Sequence, residues 1–262
     1  MDHPERVAKY VIETIHKGAR AIFQTQQSTG KYDFDLTYAE GGKAAVEVTR
    51  STLQQSQQTL AELKRRGCSV RAAACRQSWL VYPSPRARIQ HVLKNVDRYL
   101  SAIEAEGLTK YHCELDRSSP AVSRILQDLQ IVEGLTLTLP PPARIWLGGP
   151  CDSMTGSLVK ADDLQRALEA EAIKSDNRRK LGASGCQERH LFVYIDPLNT
   201  HPWQALITGC IPERAPVLPA EITYAWVAAE LDVNGIFVWT TAPRQGWQNR
   251  GLLTRPETYP MS

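Results

Sequence analysis

The residues best suited to chemistry are three acids in the segment YDFDLTYAEGGKAAVEVTR, residues 32–50. Two short runs of alternating apolar and polar residues flank the pair Gly41–Gly42, a pattern typical of a β-hairpin. In such a hairpin the apolar side chains cover one face, and Asp33, Asp35 and Glu47 belong to the other. An ordinary half-buried hairpin carries Thr, Ser or Lys there, so the acids indicate a specific use of this face.

The apolar alternation also selects how the two strands pair, with Tyr38 opposite Ala44. In this register Asp35 lies directly opposite Glu47, whereas a loop one residue shorter would mix the two faces. Two carboxylates at a cross-strand position repel each other unless a positive charge lies between them. Hard oxygen ligands suit a divalent cation. We therefore predict that Asp33, Asp35 and Glu47 are ligands of Mg²⁺ or Mn²⁺.

The rest of the chain alternates predicted helices with short apolar strands, which is typical of an α/β fold. The hairpin adds an antiparallel pair, so we expect a mixed β-sheet flanked by helices. Helices are predicted at about 4–23, 52–66, 88–107, 120–134, 161–181 and 219–230, and further strands at 78–83, 143–149, 190–196 and 235–241. We expect one α/β domain over residues 1–262, with core elements at about 4–83 and 143–241 and a helical insertion at about 86–135.

The order of the first elements and the placement of the acids resemble the PD-(D/E)xK nuclease superfamily. The restriction-endonuclease-like core of that family runs α-β-β-β-α-β, with an Asp on one strand and Glu-x-Lys on the next. Asp35 (or Asp33) matches the first position and Glu47 the second, while Thr49 stands where the family has Lys. The resemblance covers about the first third of the chain. It implies a Mg²⁺-dependent endonuclease that hydrolyses DNA phosphodiester bonds by lowering the pKa of a metal-bound water.

The family's lysine would have to come from another element of this chain. The segment EAIKSDNRRKL, residues 171–181, carries Lys174 and Lys180, and Asn177 shares a helix face with core residues. We expect Lys174 or Lys180, or Asn177 as a neutral substitute, to approach the acids and offset charge on the phosphate. Residues 50 to about 160 would then be an insertion in the core. In an alternative arrangement, the core helix is the Gln-rich one at 52–66.

Two other interpretations use the same residues differently. If no cation reaches the acids, the protein is a catalytically inactive nuclease-fold module that binds nucleic acid or protein. In a third interpretation the chain is an unrelated α/β domain, and Glu47 forms a surface ion pair with Lys31 or Lys43.

Composition sets broad limits on these interpretations. Hydrophobic residues make up 42% and charged residues 23% of the chain, as in ordinary globular proteins, and a net charge of +3 permits binding to DNA without requiring it. No apolar run approaches the roughly 20 residues of a membrane-spanning helix, and the N-terminus is polar, so we expect a cytoplasmic protein with no membrane partner.

The cysteines and one histidine are expected to have no catalytic role. The six cysteines include no CxxC pair and are expected to be reduced thiols. His190 begins a predicted strand and is expected to be a core histidine.

Overall fold

The structure, a computed structural model, describes residues 1–24, 30–112, 124, 127–151, 160–231 and 235–254. These residues form two compact units. Unit 1 contains the described residues within 1–51, 159–197 and 201–262, and unit 2 those within 52–158 and 198–200. We expected a single domain with one core, but each unit has a sheet of its own.

The helices and strands follow one another along the chain. In chain order they are α1 (His3–Ile15), β1 (Arg20–Phe23), β2 (Phe34–Thr37), β3 (Lys43–Ser51), α2 (Gln54–Arg66), β4 (Ser69–Arg71), β5 (Ser78–Pro83), α3 (Ile89–Ala105), β6 (Lys110–His112), β7 (Ile131–Leu137), β8 (Arg144–Leu147), α4 (Ala161–Ala172), α5 (Ser175–Gly182), β9 (Glu188–Ile195), α6 (Thr200–Ile207), β10 (Tyr224–Leu231), β11 (Gly235–Thr241) and β12 (Gln248–Leu253). Helix α1 begins with a capping box in which Asp2 and Glu5 satisfy each other's backbone N–H groups.

Unit 1 is built on a seven-stranded sheet in the order β1-β2-β3-β9-β10-β11-β12. Strands β1, β2 and β3 are antiparallel neighbours, β3, β9 and β10 run parallel, and β11 and β12 continue antiparallel. This mixed sheet with flanking helices confirms the predicted α/β class. One face packs against Val7, Val11 and Ile12 of α1. The other face packs against apolar residues of α4, α5 and α6, so the central strands β9 and β10 are buried on both sides.

Unit 2 has a five-stranded sheet in the order β4-β8-β5-β7-β6, and its core includes Trp79 together with Val92, Val96 and Leu100 of α3. Strands β5 and β8, which the sequence placed in a common core, therefore belong to this second unit. The segment expected as a purely helical insertion contains α3 but also β6 and β7. The helix predicted at 120–134 is wrong at its end, because residues 131–134 lie in β7; residues 120–123 and 125–126 lie outside the described residues.

Three predicted helices in unit 1 are also corrected. The first ends at Ile15, and after Gly18, which has a φ of +86°, the chain enters β1. The helix predicted at 161–181 is two helices, α4 and α5. The segment predicted as a helix at 219–230 ends in β10. A parallel strand buried on both faces is a continuous apolar run without alternation, which can be mistaken for a buried helix.

None of the described helices is long and apolar enough to cross a membrane.

Candidate active site

The hairpin forms as predicted but in a different register. Asp35 pairs with Ala45, and not with Glu47 as we expected. The loop is closed by a hydrogen bond of 2.9 Å from the Tyr38 N–H to the Gly42 carbonyl, with Gly41 at a φ of +90°. This tighter turn shifts the pairing by two residues.

A shift of two residues leaves every side chain on the face predicted for it. It changes only which acid lies near Glu47. Asp33, just before β2, now takes this place, and its N–H donates to the Val46 carbonyl at 3.0 Å. The two acids that the structure brings together are therefore Asp33 and Glu47.

Asp33 and Glu47 form a buried pair of carboxyl groups. The Glu47 side chain is 3% exposed, and Asp33 is also buried. Oδ2 of Asp33 accepts a hydrogen bond of 2.8 Å from the Val48 N–H, which fixes its orientation. Burial, followed by the charge of Asp33, raises the pKa of Glu47 to about 8, and burial also raises the pKa of Asp33. A nearby positive charge would stabilise the ionised form of such a pair.

Lys180 of α5 supplies one positive charge to this pair. Its Nζ lies 2.8 Å from Oε1 of Glu47 and 3.1 Å from Oδ2 of Asp176, and its side chain is 16% exposed. Burial opposes the charge of Lys180, but hydrogen bonds and charges from Glu47 and Asp176 outweigh it and raise the lysine pKa. The expectation that a cation from the 174–180 segment approaches Glu47 is confirmed for Lys180. Among the described residues neither Lys31 nor Lys43 forms an ion pair with Glu47.

Lys174, Asn177 and Thr49 lie around a different acid. Glu171, whose side chain is 7% exposed, accepts hydrogen bonds at Oε2 from Thr49 Oγ1 at 2.7 Å and from Lys174 Nζ at 2.5 Å. Nδ2 of Asn177 donates to the Glu171 carbonyl oxygen at 3.0 Å. Thr49, which stands where the PD-(D/E)xK family has Lys, thus binds a neighbouring carboxylate rather than the acid pair.

Glu171 was missed in the sequence, although a signal was present. Leu164 and Leu168 mark the buried face of α4, and position 171 follows Leu168 by three residues, which places it beside that face. An acid at such a position has to meet a polar partner inside the fold, because an isolated buried charge is costly.

Asp35 is set apart from the acid pair. Its Oδ1 accepts a hydrogen bond of 2.6 Å from the Tyr32 hydroxyl, and its Oδ2 accepts one from the Gln24 side chain. In the part of the chain that the structure describes, no hydrogen bond joins Asp35 to Glu47. The predicted role of Asp35 as a metal ligand stays a prediction, and Asp33 is better placed for it.

Replacing Asn177 with Ala should lower the free energy of unfolding by about 0.5–1.5 kcal/mol, because the Glu171 carbonyl would lose its side-chain donor while it keeps the Lys174 N–H at 3.3 Å. Urea denaturation measures this change, with Ser175→Ala, at an exposed side chain of the same helix, as the control. An Asn177→Ala protein as stable as the control would show that the junction does not depend on this hydrogen bond.

The acid pair has the donor set for a hard divalent cation. Oε2 of Glu47 is buried and accepts no hydrogen bond from a donor group among the described residues. Below about pH 8 Glu47 holds a proton that can be shared with Asp33, and a metal ion would take the place of this proton. No group of three or more His, Cys, Asp and Glu side chains that could hold a metal occurs among those residues. Two carboxylates fit Mg²⁺, which is commonly bound through one or two protein carboxylates and retains several waters.

Comparisons with known proteins give no relative. No protein-family model, curated protein or solved structure matches the chain. These comparisons neither support nor oppose the resemblance to the PD-(D/E)xK family.

Proposed function

We propose that unit 1 is a metal-dependent nuclease of the PD-(D/E)xK type that hydrolyses phosphodiester bonds of DNA. Asp33 and Glu47 are the metal ligands in this proposal, and Lys180 takes the place of the family's lysine. The observation that carries the proposal is the 2.8 Å contact between Lys180 Nζ and Oε1 of a Glu47 that is buried beside a second acid.

The order of elements in unit 1 supports the same proposal. Helix α1 precedes β1, β2 and β3, which are antiparallel neighbours, and α4 and α5 precede β9, which lies parallel to β3. This is the α-β-β-β-α-β order expected from the resemblance, with the described part of unit 2 inserted after β3. Asp33 lies just before β2, Glu47 lies in the middle of β3, and the lysine lies on the last helix of the series.

The roles of the side chains follow from charge. Mg²⁺ bound by Asp33 and Glu47 would supply a Lewis acid that polarises the scissile phosphate and lowers the pKa of a bound water. The ammonium group of Lys180 is a charged hydrogen-bond donor, partly shielded from solvent, that would offset negative charge developing on a phosphate oxygen. Catalysis requires a cation at this point in space and not at a fixed position in the sequence, so Thr49 can be neutral.

The test is Mg²⁺-dependent cleavage of supercoiled plasmid and of single-stranded DNA. We expect Glu47→Gln to lower the cleavage rate by at least about 10²-fold, because it removes the charge of one of two proposed metal ligands and leaves the side-chain volume nearly unchanged. Lys43→Met, at an exposed position four residues earlier in β3, is the control and should cleave as the wild type does.

Cleavage that persists in Glu47→Gln would place the activity at another site or in a contaminant.

A second candidate function is a catalytically inactive module that binds nucleic acid. One observation favours it: Lys180 already pairs with Glu47 and Asp176, so part of the acid charge is balanced within the protein. DNA binding by the wild type without cleavage in Mg²⁺ or Mn²⁺ would support this candidate over the nuclease.

A further inference from the structure

The opposite face of the unit 1 sheet carries a cavity that the proposed nuclease site does not use. Its volume is about 480 Å³, and the residues that line it include His16, Tyr38, Glu188, His190, Tyr224 and Arg250. In the sheet, His190 pairs with Val46 and with Tyr224, whereas Glu47 pairs with Leu191. Because paired residues of neighbouring strands share a face and successive residues alternate, His190 and Glu47 point to opposite sides.

A chain of hydrogen bonds runs from the core to the wall of this cavity. The indole Nε1 of Trp226 donates to Nδ1 of His190 at 3.2 Å. An indole nitrogen can only donate, so the proton of neutral His190 is on Nε2, which lies 3.4 Å from the Tyr38 hydroxyl. The Tyr38 hydroxyl in turn donates to Oε2 of Glu188 at 2.8 Å. The chain therefore fixes the Tyr38 ring and the Glu188 carboxylate at the cavity.

The fixed groups around the cavity include several aromatic rings. The ring centroids of His16 and Tyr38 are 5.3 Å apart, and those of His190 and Tyr224 are 5.0 Å apart. Burial lowers the pKa of His190 to about 3, and burial together with the charge of Arg250 lowers the pKa of His16, so both imidazoles are neutral at neutral pH. Neutral aromatic walls favour a planar ligand that can stack on them.

Two polar groups at the cavity are available to a ligand, a buried histidine nitrogen and an exposed arginine. Nε2 of His16 is buried and has no hydrogen-bond partner among the described residues. The Arg250 guanidinium donates to Thr240 Oγ1 at 3.0 Å and to the Tyr224 hydroxyl at 3.1 Å, which orients it. No carboxylate of the described residues forms an ion pair with Arg250. An oriented guanidinium without a counterion is suited to a phosphate.

We propose that this cavity binds a nucleoside monophosphate. The base lies among the rings of Tyr38 and Tyr224, and the phosphate lies against Arg250. The carboxylate of Glu188 accepts a hydrogen bond from an N–H group on the edge of the base. A cavity of about 480 Å³ is within the range of roughly 300–1,000 Å³ that is usual for small-molecule sites. This site is separate from the Asp33–Glu47–Lys180 site, and the proposal does not depend on phosphodiester hydrolysis.

Isothermal titration of the full chain with GMP, in buffer without divalent metal, tests the proposal. GMP is the probe because guanine offers N–H donors to a carboxylate. We expect GMP to bind more tightly than guanosine or inorganic phosphate. Arg250→Gln should weaken GMP binding about tenfold or more and leave guanosine binding unchanged, as expected for loss of one charged hydrogen bond to phosphate. Arg65→Gln, at an exposed arginine of unit 2, is the matched control.

The variants also separate this site from the nuclease site. Glu47→Gln should bind GMP as the wild type does, and Tyr224→Leu should weaken both GMP and guanosine. Circular dichroism establishes that each variant is folded. The proposal is overturned if wild type does not bind GMP, if phosphate binds as tightly as GMP, if Arg250→Gln binds GMP normally, or if Glu47→Gln abolishes binding. None of these results bears on whether Mg²⁺-dependent cleavage occurs at the other face.

Discussion

Replacing Lys180 with Met should lower Mg²⁺-dependent DNA cleavage by about 10²–10³-fold, the usual effect of removing one preorganised donor at a site where charge develops. Lys180 provides the only ammonium or guanidinium group among the described residues within ion-pair distance of Glu47. Methionine keeps an unbranched side chain of similar length, so the packing of α5 on the sheet should be retained. Single-turnover cleavage assays at saturating enzyme measure this effect separately from DNA affinity.

Two companion variants make this result specific. Lys180→Arg keeps the charge and should retain more activity than Lys180→Met. Lys174→Met should have a smaller effect, because the Nζ of Lys174 contacts Glu171 and not Glu47. If Lys180→Met cleaves as the wild type does while Glu47→Gln does not, the catalytic cation comes from another residue and the role proposed for Lys180 is wrong.

The apparent affinity of the protein for Mn²⁺ should increase about tenfold per pH unit from pH 6 to pH 8 and level off above. The pKa of Glu47 is raised to about 8, so below this pH the metal has to displace a proton from a carboxyl group that it binds.

The raised pKa of Glu47 also affects the stability of the metal-free protein. Between pH 4.5, the ordinary pKa of a glutamate side chain, and about pH 8, the metal-free native state holds a proton that the unfolded chain has released. The stability of the metal-free protein therefore decreases as the pH rises through this window.

Isothermal titration with Mn²⁺ in two buffers of different ionisation enthalpy measures the proton release directly. We expect close to one proton released per Mn²⁺ at pH 6 and fewer as the pH approaches 8 and above. In Glu47→Gln this proton release should be lost, and the decrease of metal-free stability with pH should become smaller. Mn²⁺ binding that is independent of pH in the wild type would mean that Glu47 is not a ligand.

The alternation of apolar residues was sufficient to predict the hairpin and the face of each acid, but not the pairing of individual residues. Alternation fixes only whether a register is odd or even, because a slip of two residues leaves the hydrophobic face intact. The turn decides between the remaining choices, and it depends on the backbone conformation of Gly41, which has a positive φ. This is why Asp33, and not Asp35, lies beside Glu47.

The lysine could be located only to a segment for a similar reason. A single helix was expected over 161–181, but the chain breaks between α4 and α5. Lys174, at the junction, contacts Glu171, whereas Lys180 on α5 contacts Glu47. Unit 2 was not separated from the core because its β5 pairs with β7 and β8, which are distant in sequence. Local patterns contain no information about such pairing.

The insertion of unit 2 after β3 also determines when the proposed site can exist during protein synthesis. Glu47 and Lys180 are 133 residues apart in the chain. At a translation rate of about 5–20 residues per second, a ribosome needs roughly 7–27 seconds after synthesising the glutamate before it reaches the lysine. Throughout this interval the nascent chain carries both carboxylates without the ammonium group, so a truncated translation product that stops within the insertion would lack the cation of the proposed site.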